Sequence, residues 1–390
     1  MNRRGKINMM VDIFGFIPFV STIGGHIKLN HLHSLYLSEE AIKQGESSFE
    51  DLKIIVDNFE KKHPQRFADN KAKIEKLLNE APLFRDRDDK DVVRYKLLFD
   101  QFGRGFSPEE VILYNIYDAP VEIKKTFSSA RETAALTIRL NDLKDAEILN
   151  NKGLTYGSFK KYFKREAIYI SKEKDRDTFL DYTKKHPIFV KKAVYEAMGR
   201  SVELIDLNTD AKDINCVFNE LIKEGPHLIE ERVSQSQDIS ELNSSSVNTI
   251  RAITFNTKHG IEDPFYFMKI GRGGSFVDNG GAGGLFVGID RSTGTLITDG
   301  FDEMGHVYET HPDTGTRFKG FQLPEWESMK SICKEMSSCI PSVKFIGWDM
   351  AHTDKGWVLI EGNGSTQLIG PQSVFKRGVK KDVERILTTM

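Results

Sequence analysis

The chain has 390 residues, with 55 Lys and Arg against 57 Asp and Glu and a formal net charge of -2. There is no cationic excess, so a nucleic-acid backbone is not the expected partner, and 39% hydrophobic with 29% charged residues describes a folded protein rather than a disordered one. The length suits two or three domains, or one core with insertions. The three cysteines, Cys216, Cys333 and Cys339, make neither a disulfide framework nor a zinc spacing, which suits a reducing compartment.

The N-terminus, MNRRGKINMMVDIFGFIPFVSTIGGHIKL, opens with Arg3, Arg4 and Lys6 and turns apolar from Met9 to Ile27. Asp12 lies inside that run, and Pro18 and the Gly24-Gly25 pair break it, so it is too short and interrupted for a membrane span. Three readings stay open: a packed N-terminal segment, a targeting segment, and a peripheral membrane contact made by the apolar side with the basic residues.

Residues 30–115 read as helical. In SSFEDLKIIVDNFEKKHPQRF, Ser48 is a cap with Asp51 three positions on, followed by Leu52, Ile55, Val56 and Phe59 at helical spacing. DNKAKIEKLLNEA repeats the pattern through Ile74, Leu77 and Leu78, and Ser107-Pro108 opens another helix. The outer faces are charged and carry no catalytic signature, so 1–115 is expected to be an N-terminal helical region. Residues 116–186 are mixed. Lys152 lies in the polar junction N-N-K-G, where its default reading is a surface lysine, and REAIYI is a short strand before the helix DRDTFLDYTKKH.

Residues 187–233 change to strand, turn, strand, helix, strand. IFVKKAV carries Lys191 and Lys192, YEAMGR is a loop with Gly199, and SVELIDL returns. DAKDINCVFNELIKEG is a helix ended by Gly225, and HLIEERV exits through Glu230, Glu231 and Val233. A unit of this size suits a lid, not a complete enzyme. From 234 to 390 the chain is sheet-rich, with VNTIRAITFNT, YFMKI, LFVGID and TGTLIT as strands and Asp290 to Gly294 turning between the last two. ESMKSICKEMSSC and the C-terminal end are helices. The fold class is α+β, helical first and sheet-centred later.

Two features of that last region carry chemistry. In PSVKFIGWDMAHTDKGWVLIEGNGS the apolar strands are interrupted by Asp349, Glu361 and Asn363. Period-two geometry puts Glu361 and Asn363 on one face, and a hairpin can add Asp349, although its register is open. Two carboxylates and an amide oxygen are hard ligands that suit magnesium rather than zinc; the alternative is a solvated sheet face. Eight glycines lie between Gly271 and Gly288, in neither a P-loop nor a dinucleotide fingerprint. They serve either close backbone approach to a phosphate or sugar, or simple tight turns. Arg272, Ser275, Asp278 and Asn279 are embedded there. His306 and His311 are candidate polar site residues, with a hydrogen-bonded or surface role as the default, and there is no nucleophile elbow or HExxH motif.

The order of these signals, a lysine strand, a glycine loop, a strand ending in two glutamates, Asn-Thr-Ile-Arg, then Asp and Glu-x-Asn, resembles the ATP-grasp superfamily. Within it the chain is similar to the branch associated with sugar transfer and surface polysaccharide biosynthesis. The likeness covers roughly Lys152 to Met390 and is best in VNTIRAITF, GRGGSFVDNGGAGG and FIGWDMAHTDKGWVLIEGN. It implies an ATP-grasp fold in which two α+β subdomains enclose the nucleotide, with 187–233 as lid and 234–390 as the subdomain with the metal site. It also implies ATP and Mg2+ as cofactors. The reaction it implies joins a small-molecule or lipid-linked glycan carboxylate to an amine through an acyl phosphate, in the cytoplasm or at the inner face of the membrane.

By position, the resemblance makes Lys191 and Lys152 phosphate-contacting lysines and puts Gly199 in the phosphate loop. Glu230 to Val233 becomes the adenine hinge, with one of Glu230 and Glu231 holding the ribose. Asp349, Glu361 and Asn363 become magnesium ligands. Asn248, Arg251, Arg272, Asp278 and Asn279 form the polar floor where phosphate and acceptor meet, with Arg251 or Arg272 facing the developing oxyanion. Two departures stand out. Lys192 follows Lys191 where many relatives have proline, so which amine faces the phosphates is open, and the phosphate loop has a single glycine. A sugar or glycan kinase and a non-catalytic nucleotide-binding scaffold are the alternative outcomes; the intact Asp349, Glu361 and Asn363 argue against the scaffold.

Overall fold

Ser48 caps the helix Phe49–Lys62 by accepting the Asp51 backbone N–H at 3.1 Å. The helix buries Leu52, Ile55, Val56 and Phe59, the apolar stripe of the sequence. Pro64–Glu80 buries Phe67, Ile74, Leu77 and Leu78 into the same core, and Ser107 with Glu110 forms a capping box at Pro108–Leu113. The computed structural model describes residues 36–195, 202–209, 213–278 and 283–390. The N-terminal run, Gly199 and Asn279 lie outside them.

This helical unit runs to Leu140 and takes in Phe301–Val307 and Gln367–Thr388. Gln372, on the helix Ile369–Phe375, shows why the C-terminal end belongs here. Its Oε1 accepts the Ser128 N–H at 2.7 Å, and its Nε2 donates to Ser128 O at 2.8 Å and to Tyr114 Oη at 3.0 Å, all buried. The chain therefore divides at Leu140 and Asn141, not at the boundaries expected after 115 and 186.

The second unit holds two sheets. The smaller is β1 (Ala167–Ile170), β2 (Ile188–Ala193), β3 (Val202–Asp206) and β4 (His227–Glu231), in the order β1-β4-β2-β3 and antiparallel throughout. Its strand β1 precedes the expected start of the lid, because it pairs with β4. The helices Arg176–Lys185 and Ile214–Glu224 close one face over Phe179, Phe189, Phe218 and Ile229.

The larger sheet has seven strands, numbered in chain order: β5 (Thr249–Thr257), β6 (Gly260–Ile270), β7 (Leu285–Gly288), β8 (Gly300–Phe301), β9 (Val307–Tyr308), β10 (Phe345–Thr353) and β11 (Gly356–Asn363). Their order is β11-β10-β5-β6-β7-β8-β9. Alternate residues Ile250 and Ala252, Met268 and Ile270, and Trp348 and Met350 enter the main core, which also receives side chains from the helices Lys152–Phe163 and Trp326–Ser338. Strand alternation then turns Thr249, Arg251, Lys269 and Asp349 to the other face. A core-forming pattern thus aims the polar interruptions at a single surface.

Candidate active site

The β10–β11 register answers the question the sequence leaves open. Asp349 pairs with Glu361 and Gly347 with Asn363, ahead of an irregularity after Asp349; on its other side Asp349 pairs with Arg251 of β5. The three oxygen-bearing residues share one face. Asp349 is 3% exposed and meets Arg251 in two bonds, Nε to Oδ1 at 2.5 Å and Nη2 to Oδ2 at 2.7 Å. Lys269 Nζ lies 3.2 Å from Oδ2, and Asn363 Nδ2 lies 3.4 Å from it. Burial pushes the Asp349 carboxyl up, but Arg251 and Lys269 beside it prevail and hold it at about 2. Glu361 lies 3.5 Å from Lys152 Nζ, at the start of the helix Lys152–Phe163.

These donors fit magnesium. Mg2+ takes oxygen ligands and normally keeps phosphate and water oxygens among them, so two carboxylates and one amide oxygen on a strand pair are a suitable protein share. Among the described residues no group of three or more His, Cys, Asp and Glu could hold a metal ion. Lys152, Arg251 and Lys269 around the carboxylates form a surface suited to a polyphosphate with its metal.

On the smaller sheet the lysines separate. Lys191 pairs with Ile229 in register and reaches Glu203 at 2.9 Å and Glu224 at 3.1 Å, on the helix-covered side. Lys192 has the opposite face and makes a buried ion pair with Glu230. The two amines left open by the sequence thus lie on opposite faces, Lys191 with the helices and Lys192 away from them, because a one-residue step on a strand reverses the face.

Glu230 also meets Arg165, at 2.8 Å to Nη2. It is 2% exposed; burial opposes its charge, and Arg165 and Lys192 hold it below the usual carboxylate range. Glu231 accepts the Glu166 N–H at 2.6 Å and sits 3.3 Å from His186 Nδ1. Both acids thus have partners within the protein, Glu230 nearly out of solvent and Glu231 with its side chain still 30% exposed. A cleft of about 220 Å3 opens at the hinge, lined in part by Glu231, Val233, Ser234, Thr353 and Val358.

The glycine-rich loop returns to the start of β5 at both ends. Asn248, 1% exposed, accepts from the Ser246 hydroxyl at 2.8 Å and the Gly271 N–H at 3.3 Å, and donates to Asn243 O at 2.7 Å. These bonds make Asn248 a buried clamp between the loop and the start of β5. Asp278 accepts the Thr249 N–H at 2.9 Å and hydroxyl at 2.5 Å. Arg272 donates to Gly283 O at 2.6 Å and to Tyr308 Oη at 2.5 Å. His311 is fully buried, with Nε2 2.8 Å from Gly271 O, so it braces the loop. His306 instead lies in the helical unit, 2.9 Å from Asp302.

Sequence reasoning missed Lys269 and Arg165. Lys269 had a signal, a lone lysine within the apolar run Y-F-M-K-I whose neighbours Met268 and Ile270 enter the core. Arg165 had none, since its role depends on reaching both Glu230 and Leu359 O, the latter at 2.8 Å.

Residues 131–387 match the model of a family described as sugar-transfer associated ATP-grasp. No curated protein matches the sequence. Among solved structures the chain is similar to D-alanyl-alanine synthetase A from Vibrio cholerae, with 11% identity, a TM-score of 0.42 and coverage of 64% of this chain and 67% of that one. It is similar to an ATP complex of D-alanine–D-alanine ligase from Bacillus anthracis, with 12% identity, a TM-score of 0.40 and coverage of 64% and 68%. Phosphoribosylamine–glycine ligase from Thermotoga maritima gives 16% identity, a TM-score of 0.41 and coverage of 64% and 56%.

Proposed function

The chain belongs to the sugar-transfer associated ATP-grasp family, and from that membership we propose an ATP- and magnesium-dependent ligase that joins a carboxylate to an amine through an acyl phosphate. The carboxylate is a uronic-acid-type glycan precursor, small or lipid-linked, and the amine an amino acid or similar compound. The observation that carries this reading is the single polar face on which Asp349, Glu361 and Asn363 meet Arg251, Lys269 and Lys152.

Asp349, Glu361 and Asn363 would hold magnesium, which would supply positive charge against the phosphate oxygens. Lys152, Lys192 and Lys269 hold the phosphates, and Val233 with its neighbours offers backbone groups to the adenine edge in the hinge cleft. Attack of the substrate carboxylate on the γ-phosphorus gives an acyl phosphate and ADP. The amine then displaces phosphate from the carbonyl, with Arg251 or Arg272 facing the developing oxyanion. The smaller sheet acts as a lid that keeps water from the acyl phosphate.

We place the reaction in the cytoplasm, where ATP is supplied, with the basic and apolar N-terminal run touching anionic lipid at the inner membrane face. Among the described residues no helix is long and apolar enough to cross a membrane.

The test incubates the protein with magnesium-ATP and a panel of uronic acids and amino acids, following products by mass. A ligase releases ADP and phosphate and gives a product lighter than the summed substrates by one water. A sugar carrying one added phosphoryl group would identify a kinase instead. Release of AMP and pyrophosphate would overturn the mechanism.

A further inference from the structure

We propose that Asp278 is the general base that takes a proton from the attacking amine. The proposal rests on the ligase reading above and assigns one step of it. Thr249 and Arg251 are two residues apart on β5 and share a face, and Thr249 pairs with Lys269 of β6. By hydrogen-bonding Thr249, Asp278 brings a carboxyl onto the face that holds Lys269 and the Arg251–Asp349 pair, about 7 Å along the strand from Arg251.

The two oxygens of Asp278 differ. Oδ2 takes both Thr249 bonds, whereas Oδ1 accepts no hydrogen bond among the described residues. The charged groups facing it are Lys269, Asp349 and, farther along the strand, Arg251. Burial favours the protonated carboxyl, and so does the charge of Asp349; Lys269 and Thr249 oppose them, and the balance lies above the ordinary aspartate value. The other carboxylates on this face are committed, Asp349 to Arg251 and Lys269 and Glu361 to Lys152.

Amide formation needs such a group because an alkyl ammonium has no lone pair to offer. Asp278 Oδ1 takes one proton from the ammonium, and the freed nitrogen attacks the acyl carbonyl. The carbon–oxygen bond to phosphate breaks with its electron pair on the leaving phosphate, which takes the second nitrogen proton. Asp278 then returns its proton to solvent.

Hydroxylamine separates this role from a structural one, because it is a neutral nucleophile near neutral pH and needs no base to free its lone pair. With magnesium-ATP and the uronic acids of the panel, the wild-type protein should form a hydroxamate. If none forms, the ligase reading itself falls, whatever Asp278 does. Asp278→Asn keeps an acceptor for Thr249, so it should lower amide formation about 100-fold or more while hydroxamate formation stays within about threefold. Thr249→Val loosens the loop but leaves the base, so both reactions should fall together by a similar small factor. Parallel loss of both activities in Asp278→Asn, or no loss of amide formation, would overturn the proposal.

Discussion

Lys192 and Glu230 form a buried ion pair on the face of the smaller sheet away from its two helices, while Lys191, its neighbour in the chain, turns to Glu203 and Glu224 on the helix-covered side. A nucleotide held against the face away from the helices would meet Lys192 and not Lys191. Lys192→Met should lower kcat/KM for ATP by about 100-fold, the scale of one lost donor to a charged oxygen in a dry site. Lys191→Met should stay within about threefold. Steady-state kinetics with varied ATP measures both, and equal losses would return the assignment to an open choice.

The same pair shows what was legible in the sequence. Helix caps at Ser48 and Ser107 and the apolar stripes behind them rest on local patterns and appear where those patterns put them, whereas TGTLIT, expected as a strand, makes only isolated bridges at Thr295 and Leu296. The Asp349, Glu361 and Asn363 set was also visible, since polar residues that interrupt apolar strands stand out. Which face each one takes was not, because register depends on partners far away in the chain: Asp349 meets Arg251 98 positions earlier. Glu230 could be located in the hinge but not given its partners, because Arg165 lies 65 positions before it. The domain boundary was hidden for a similar reason, as Gln372 bonds Ser128 across 244 positions.

Arg165 links Glu230 to the β11 carbonyl of Leu359, with both side chains of the ion pair nearly out of solvent. Arg165→Met should destabilise the protein by about 3 kcal/mol, since removing one member of a buried pair leaves a charge poorly compensated. Adding Glu230→Met should recover part of that loss, although it removes the partner of Lys192. Glu230 is a carboxylate held below its unfolded pKa, so its stabilisation is present above that value and disappears as pH falls through the folded pKa. Arg165→Met should accordingly begin its acid unfolding at a higher pH than the wild type. Scanning calorimetry across an acid series tests this, and an unshifted acid transition would argue that Arg165 contributes nothing to Glu230.

Glu110 gives the opposite pH dependence. It is 1% exposed in the helical unit, accepts from the Ser107 N–H at 2.8 Å and the Tyr114 hydroxyl at 3.0 Å, and is pushed by burial up to about 8. The folded chain holds this proton where the unfolded chain has lost it, so stability falls as pH rises from about 4.5 to about 8. The fall from this group alone is up to about 5 kcal/mol. Glu110→Gln, which is neutral at every pH, should flatten that slope. Chemical denaturation at pH 5 and pH 8 reads the difference, and a slope unchanged by the substitution would exclude Glu110 as its source.

Asp349→Asn preserves the volume of the side chain but removes the charge that faces both Arg251 and Lys269. It should cut magnesium-dependent turnover by about 1000-fold, since a ligand and a neutralising charge are lost together. Loss of activity alone would not distinguish a metal role from a damaged ion pair, so binding supplies the second readout. A ligand that binds only the folded state raises its stability by RT ln(1 + [L]/Kd), about 2.7 kcal/mol at a concentration 100 times Kd. Wild-type protein should gain thermal stability from ATP with magnesium beyond that from ATP with EDTA, and Asp349→Asn should lose that difference while remaining folded. Arg251→Met breaks the same ion pair but leaves the Asp349 oxygens in place, so it should weaken stability without erasing the magnesium-specific gain. If both substitutions erase it equally, Asp349 acts through the ion pair and the metal belongs elsewhere.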